Sequence, residues 1–293
     1  NKVRLTRLIY DVSRVVVNPD ALFDVHVKRI HEYKRQLLNV MQIVHQYLCM
    51  IRDGLEPPVP RVYIFAGKAA PGYWAAKQII KLITSVGQVV NNDPRVKGLI
   101  TVVFLPDYRV SLAEQIVPAA DVNQQISTAG TEASGTGSMK FAMNGALIVG
   151  TYDGANIEIM QEVGEENIFL FGLQAEAVRQ MRERGSYHPR DYYHRNPHIR
   201  RVMEAFASNL FCPHQPGLFR WIGESILDHG DPYFHLADLG SYIDTQNRVA
   251  QAFNDPAGWA CKAIFNVART EKFSSDRAIA EYAREIWNIQ PVL

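Results

Sequence analysis

Leu22-Phe-Asp-Val-His-Val-Lys-Arg-Ile-His-Glu-Tyr-Lys34 decides how this chain folds. Leu22 to Val27 alternates apolar and polar residues as a strand does, and Glu32 to Arg52 reads as one long amphipathic helix stopped by Gly54. The unit then recurs. Pro57, Pro58 and Pro60 make a stiff connection, Arg61 to Ala66 reads as a strand, Gly67 to Gly72 as a turn, Tyr73 to Val90 as a helix and Leu99 to Leu105 as the next strand. A helix beginning near Ser134, a strand over Ala146 to Gly150, a helix near Ala155 to Val163 and a short strand over Ile168 to Phe171 continue the alternation. Strands alternating with helices predict an α/β fold in which a parallel sheet is covered on both faces. From about Gln174 the strand signals stop, and a helical C-terminal tail is expected to pack onto the sheet. Leu5, Leu8, Ile9, Val12, Val15 and Val16 already carry helical spacing behind Asn1, so the chain reads as a piece of a longer protein.

At 293 residues and 47% hydrophobic, the chain can bury a substantial core. Thirty-one basic residues against 30 acidic ones give no global field that points to nucleic acid or membrane. Cys49, Cys212 and Cys261 are widely spaced with no C-x-x-C, which argues against a disulfide framework or a zinc site, so no metal is expected. A reducing cytoplasm is the expected compartment, since no apolar run approaches the ~18 residues of a membrane span and no signal-peptide core opens the chain.

Basic residues matter here only where they cluster. Lys28, Arg29 and Lys34 put three cations at the end of a strand and the start of a helix, where Arg29 suits bidentate phosphate binding and the lysines act as point charges; a solvated charged turn has the same composition. The second candidate is Ser127-Thr-Ala-Gly-Thr-Glu-Ala-Ser-Gly-Thr-Gly-Ser-Met-Lys140. Gly130, Gly135 and Gly137 allow close backbone approach to a ligand, the first-turn amides of the following helix suit a phosphate, and Lys140 projects from the same face three or four residues on. A phosphate-bearing aldehyde fits such a loop at both ends. A tight strand-to-helix turn with a solvated lysine also fits it. A nucleotide P-loop does not, because Thr136 stands where that motif needs lysine, and no G-x-G-x-x-G is present in this loop. Ligand sites of open α/β sheets lie at the carboxyl ends of strands, which is where Lys28 to Lys34, Gly67 to Gly72, Pro106 to Arg109 and Ser134 to Lys140 all fall.

KRIHEYKRQLLN, AGKAAPGY, YRVSLAEQIVPAAD, STAGTEASGTGSMKFAMNGAL and YDGANIEI, in this order, resemble the glycogen/starch/maltodextrin α-glucan phosphorylases, and the resemblance runs to SSDRAIAEYAREIWNI near the end. It implies the second, C-terminal domain of a two-domain GT-B-type glycosyltransferase, Rossmann-like, with the N-terminal domain and the first strand of this one lying before Asn1. It also implies pyridoxal 5′-phosphate as cofactor, inorganic phosphate and an α-1,4-glucan as substrates, glucose 1-phosphate formed with retention, and a homodimeric full-length enzyme. In that family the cofactor aldehyde is an anchor and its phosphate takes part in proton transfer.

Carried over residue by residue, the resemblance makes Lys140 the Schiff-base lysine and gives the cofactor phosphate to Lys28 and the amides of Gly135, Thr136 and Gly137. Arg29 and Lys34 would hold the substrate phosphate. Glu132, Ser134 and Gly135 would bond the sugar hydroxyls, Tyr33 would line the sugar site, Tyr108 and Arg109 would lie by the cofactor, and Lys68 would join the charge network. A retaining glycosidase would need a pair of carboxylates, which Glu132 alone does not supply. A sugar-nucleotide glycosyltransferase of similar fold is opposed by Lys140. An isolated, folded but inactive domain that binds the cofactor or a partner domain is the other reading.

The remaining motifs read as structural. Asp153-Gly-Ala-Asn156 is taken mainly as a turn and helix cap, His31 as a packing or hydrogen-bonding residue, and Trp74, Trp221, Trp259 and Trp287 as core or tail-docking positions on helices. Pro197 speaks against His194 and His198 as a helical ligand pair.

Overall fold

The computed structural model describes residues 1–96 and 98–290. Six strands form one wholly parallel sheet: β1 Leu22–Val27, β2 Arg61–Ala66, β3 Ile100–Leu105, β4 Val122–Gln125, β5 Leu147–Thr151 and β6 Phe169–Phe171. Their order is β3-β2-β1-β4-β5-β6, with Leu22 opposite Arg61, Asp24 opposite Val122, and Val122 opposite Leu147. Successive crossovers run outward in opposite directions from β1 and β4, so a crevice opens between the carboxyl ends of those two strands.

The connecting helices are α1 Lys2–Ser13, α2 Gln36–Asp53, α3 Trp74–Asn92, α4 Val110–Ile116, α5 Thr136–Met143 and α6 Ala155–Val163. Phe23, Val25, Val27, Val62 and Ile64 share a core with Leu5 and Ile9 of α1, Leu112 and Ile116 of α4 and Phe141 of α5. Leu22, Tyr63, Phe65 and Val102 face the opposite way, onto Leu38, Met41 and Ile43 of α2 and Ile79 and Leu82 of α3. Because helices cover both faces, the polar positions of β1 are buried as well: Asp24 and His26 are 1% and 0% exposed. The alternation in β1 therefore marks a strand without marking a solvent face.

The expected strands and helices are present, with shifted ends. The helix expected from Glu32 begins at Gln36, after a 3₁₀ turn over Glu32–Lys34 and a left-handed Arg35 at φ 56°. Two elements were not anticipated, β4 and α4. Val122-Asn-Gln-Gln125 lacks the apolar signal of a buried strand, yet all four residues are buried in the middle of the sheet. The edge strand β3 is partly covered: the Asn91 side chain donates to Val102 O at 2.8 Å and accepts from Val102 N–H at 2.8 Å, in the manner of a neighbouring strand.

The tail is helical as expected, comprising α7 Ala175–Arg184, α8 Pro189–Arg195, α9 Pro197–Ala207, α10 Arg220–Gly223, α11 His235–Phe253, α12 Pro256–Arg269 and α13 Ser275–Glu281, and α11 and α12 dock it onto β6 and β5. Leu236, Leu239, Tyr242 and Val249 of α11 belong to the main core, and polar bonds fix its register. Arg35 pairs with Asp238 at 2.7 Å, Tyr242 Oη donates to Gln124 Oε1 at 2.9 Å, and Arg61 donates to Gln246 Oε1 at 2.5 Å. Of the four tryptophans only Trp259 is buried; Trp74 and Trp287 are 57% and 52% exposed, and Trp74 meets Trp221 edge-on. The core reading fails for Trp74 and Trp287 because amphipathic spacing does not fix which face a large residue at a helix end takes.

Candidate active site

Where β1 ends, the chain continues beside the end of β2: Lys28 N–H donates to Ala66 O at 3.1 Å and Ile30 N–H to Lys68 O at 3.2 Å. A Cβ on Gly67 would overlap the Lys28 carbonyl, so only glycine permits this approach. After the 3₁₀ turn, Arg35 turns inward and is wholly buried. Its guanidinium donates to Ile126 O at 2.7 Å and Ser127 O at 3.2 Å as well as to Asp238. Thr128 N–H donates to Tyr33 O at 3.0 Å. The basic segment after β1 and the glycine-rich loop after β4 are thus tied across the crevice.

Asp153, just beyond β5, holds that loop in shape. Its carboxylate accepts from Ser127 Oγ at 2.8 Å, Gly130 N–H at 2.9 Å and Glu132 N–H at 2.8 Å. Ala155 N–H donates to Ser134 O at 2.8 Å, and Gly154 lies so near that a Cβ there would overlap the Ser134 carbonyl. Asp153 is not the expected helix cap: among the described residues no side chain caps α6, and the carboxylate serves the neighbouring loop instead. Asn156 does likewise, donating to Gln125 O at 2.9 Å and Thr151 O at 3.0 Å.

At the centre of the crevice, Glu132 accepts from Lys34 at 2.6 Å, with Lys28 at 3.5 Å and Tyr33 Oη at 3.5 Å. Lys34 also lies 4.4 Å from the centre of the Tyr33 ring. Burial pushes Glu132 upward, but the Lys34 hydrogen bond and the Lys28 and Lys34 charges outweigh it and hold the carboxyl below its ordinary value. Burial likewise opposes the charge on Lys34, and its bonds to Glu132 and Tyr33 more than offset that, raising it. Lys28 goes the other way. Burial first, and the Lys34 charge second, push it down to about 8 despite Glu132. The same burial, with Lys28 and Lys34 beyond it, holds the His26 ring well below the usual histidine range. A lysine held toward neutrality by burial and a neighbouring cation is one whose charged form an added anion would stabilise.

Gln125 joins this centre to the glycine loop. Its Oε1 accepts from Lys28 Nζ at 2.8 Å, and its Nε2 would lie 3.1 Å from a Cβ placed on Gly137, in the first turn of α5. Gly135, the residue before α5, takes φ 94°, a conformation strained for any other residue, and among the described residues no side chain caps the helix. Its first-turn amides are therefore available to an anion.

The structure brings Lys28, Tyr33, Lys34 and Glu132 into contact and places the α5 start beside them. Arg29, Ser134, Thr136 and Lys140 are exposed, and the Arg29 and Lys140 side chains have no ion-pair partner among the described residues. Arg109 is exposed and pairs with Asp107 at 2.8 Å, which also meets Lys68 at 3.3 Å. Half-buried Tyr108, raised by burial, packs on the core that includes Phe141, the neighbour of Lys140. His31 packs as expected, edge-on to Tyr33 at 4.7 Å and Tyr73 at 4.9 Å. Gln125 and Asp153 are the residues that reading the sequence missed; only the unusual run of amides in Asn123-Gln-Gln125 signalled the first.

The model of the carbohydrate phosphorylase family matches residues 1–289. The chain is 52% identical to the glycogen phosphorylase of Synechocystis sp. over 292 residues, which is 100% of this chain and 34% of that protein. It is 52% identical to the glycogen phosphorylase of Chlamydia trachomatis over 289 residues, 99% of this chain and 35% of the relative. Against the muscle form of Mus musculus it is 50% identical over 291 residues, again 99% of this chain and 34% of the relative. The chain thus spans about a third of the length of these relatives, and it belongs to the carbohydrate phosphorylase family.

Proposed function

We propose that this chain is the cofactor-bearing C-terminal domain, residues 1–293, of a two-domain GT-B-type α-glucan phosphorylase that releases glucose 1-phosphate from terminal α-1,4 linkages with retention. The observation that carries the reading is the meeting of Lys28 and Lys34 with the uncapped start of α5, through Gln125, at the sheet's switch point. Two phosphates placed close together need cations and helix amides around them, and this crevice supplies both.

The donor set suits pyridoxal 5′-phosphate. Lys28 and the amides of Gly135, Thr136 and Gly137 hold its phosphate, Lys140 provides the amine for its aldehyde, and Tyr108 and Arg109 flank it. When bound, the cofactor supplies a phosphate group able to exchange a proton with substrate phosphate. Arg29, exposed and without an ion-pair partner among the described residues, clamps the substrate phosphate with Lys34, which keeps an N–H donor beyond those given to Glu132 and Tyr33. Glu132, Ser134 and Gly135 bond the sugar hydroxyls, and Tyr33 lines the sugar. The Asp153 brace keeps the loop carrying these groups in one shape, so that orientation is fixed before substrate arrives.

A chain spanning about a third of its relatives leaves the rest of the sugar site to the remaining segments, including the N-terminal domain, in a homodimeric, cytoplasmic enzyme. The isolated chain is then a folded domain without phosphorylase activity. The test is phosphorolysis of a maltooligosaccharide by the full-length enzyme, read as glucose 1-phosphate release. Arg29→Ala and Lys140→Ala should each cost about 100-fold or more. Full activity in both variants would refute the assignment, and glucose 1-phosphate made by the isolated chain would refute its dependence on the other segments.

A further inference from the structure

His45 and Cys49 lie one turn apart on α2, so their side chains leave the same helix face. His198, the second residue of α9, meets them across the α2–α9 interface, and its ring crosses that of His45 edge-on at 5.0 Å. Cys49 Sγ is 3.6 Å from His45 Nε2 and 3.9 Å from Nδ1, and one donor atom from each of the three residues lies within 4.8 Å of the others. A tetrahedral zinc ion with Zn–S of about 2.3 Å and Zn–N of about 2.0–2.1 Å needs its sulfur and nitrogen ligands roughly 3.6 Å apart. From this geometry we infer that His45, Cys49 and His198 form a binding site for Zn²⁺ or another N/S-preferring divalent transition metal, which staples the helical tail to α2.

Thiolate and imidazole are the ligands such ions select, and three protein ligands leave a fourth position for water. His45 and Cys49 are half-buried while His198 is exposed, which gives an ion a way in and lets the His198 ring turn to close the site. The Arg201 guanidinium, three residues beyond His198, opposes a cation there. It is held by Asp53 at 2.8 Å and Leu48 O at 3.3 Å, so its charge is met by a carboxylate rather than directed at the cluster. Among the described residues the only polar partner of the Cys49 thiol is His45. The site lies outside the carboxyl-edge crevice and shares no residue with it. Zinc motifs are recognised by ligands close in sequence, and here one ligand comes from a distant helix, so counting cysteines argued against a metal. His194, weighed in the sequence as the partner of His198, packs on Tyr193 instead.

The full chain, purified free of metal, is titrated with Co²⁺ and then Zn²⁺. One equivalent of Co²⁺ should give tetrahedral d–d bands and a thiolate charge-transfer band that Zn²⁺ displaces. Cys49→Ser should remove the charge-transfer band and His198→Ala should weaken Co²⁺ binding by about tenfold or more, while Cys212→Ser and Cys261→Ser leave both unchanged. Zinc should raise the melting temperature of the parent chain and not of Cys49→Ser or His198→Ala, whose metal-free melting should match the parent and so exclude misfolding. Absence of the band at stoichiometric Co²⁺, or its survival in Cys49→Ser, would overturn the site.

Discussion

Lys28 is the side chain in the crevice whose charge costs most to keep, and it titrates near 8 because burial and Lys34 both act against its proton. A folded value below the ordinary 10.5 means that the stability it contributes is present above 10.5 and is lost as pH falls through about 8. A bound phosphate reverses that cost by favouring the charged form. Pyridoxine 5′-phosphate, which has no aldehyde and so leaves Lys140 out of the measurement, should bind this chain with little dependence on Lys28 between about pH 7, where its phosphate is a dianion, and about 8. Above it, affinity should fall by up to about tenfold per pH unit. Lys28→Met should weaken binding and flatten that profile in calorimetric titrations; a parent profile flat from neutral to alkaline pH would show that Lys28 does not face the anion. The cations stood out in the sequence because they gather at a strand end and beside a glycine-rich loop, whereas Glu132 was singled out only through the family resemblance. Gln125 and Asp153 were not, since an amide and a carboxylate satisfied internally look like surface residues until their partners are known.

Strand β4 shows where reading by element fails. Three of its four side chains are amides that bond inward: Asn123 donates to Val25 O at 3.2 Å, Gln124 to both Asp24 oxygens at 2.9 Å, and Gln125 to Asn123 at 2.6 Å. Hydrophobic periodicity detects burial of apolar groups, and this strand is held by a polar network. The strands with apolar runs, β1, β2, β3 and β5, were legible for the opposite reason. Gly154 is the tightest joint between β5 and the site loop, at φ 49° and ψ −141° with the Ser134 carbonyl against it. Gly154→Ala should destabilise the chain by about 1–3 kcal/mol from backbone strain alone. It should also weaken pyridoxine 5′-phosphate binding, because the displaced Ser134 leads directly into Gly135 and α5. Urea unfolding and the same titration measure the two effects; a variant matching the parent in both would show that the joint tolerates a side chain.

At the scale of the molecule, the parallel α/β plan and the docked helical tail were legible from the strand–helix alternation and its loss after about Gln174. The way the tail holds the site was not. Arg35, buried between the two site loops, reaches Asp238 of α11, and the Leu173 N–H also donates to Asp238, at 2.9 Å. Removing one partner of such a buried pair typically costs about 3–5 kcal/mol, so the tail braces the crevice as well as covering the sheet. Only contacts between residues roughly 200 positions apart reveal this, here 203 for Arg35 and Asp238. The segments proposed to build the phosphate cradle, after β1, after β4 and in α5, are all fixed by this chain's own sheet and tail. Under the proposed function, the chain alone organises the cofactor pocket around Lys140. The direct test is to incubate the purified chain with pyridoxal 5′-phosphate, reduce with borohydride and locate the adduct by peptide mass spectrometry. A single stoichiometric adduct on Lys140 is the predicted result; labelling scattered over other lysines, or none, would contradict it.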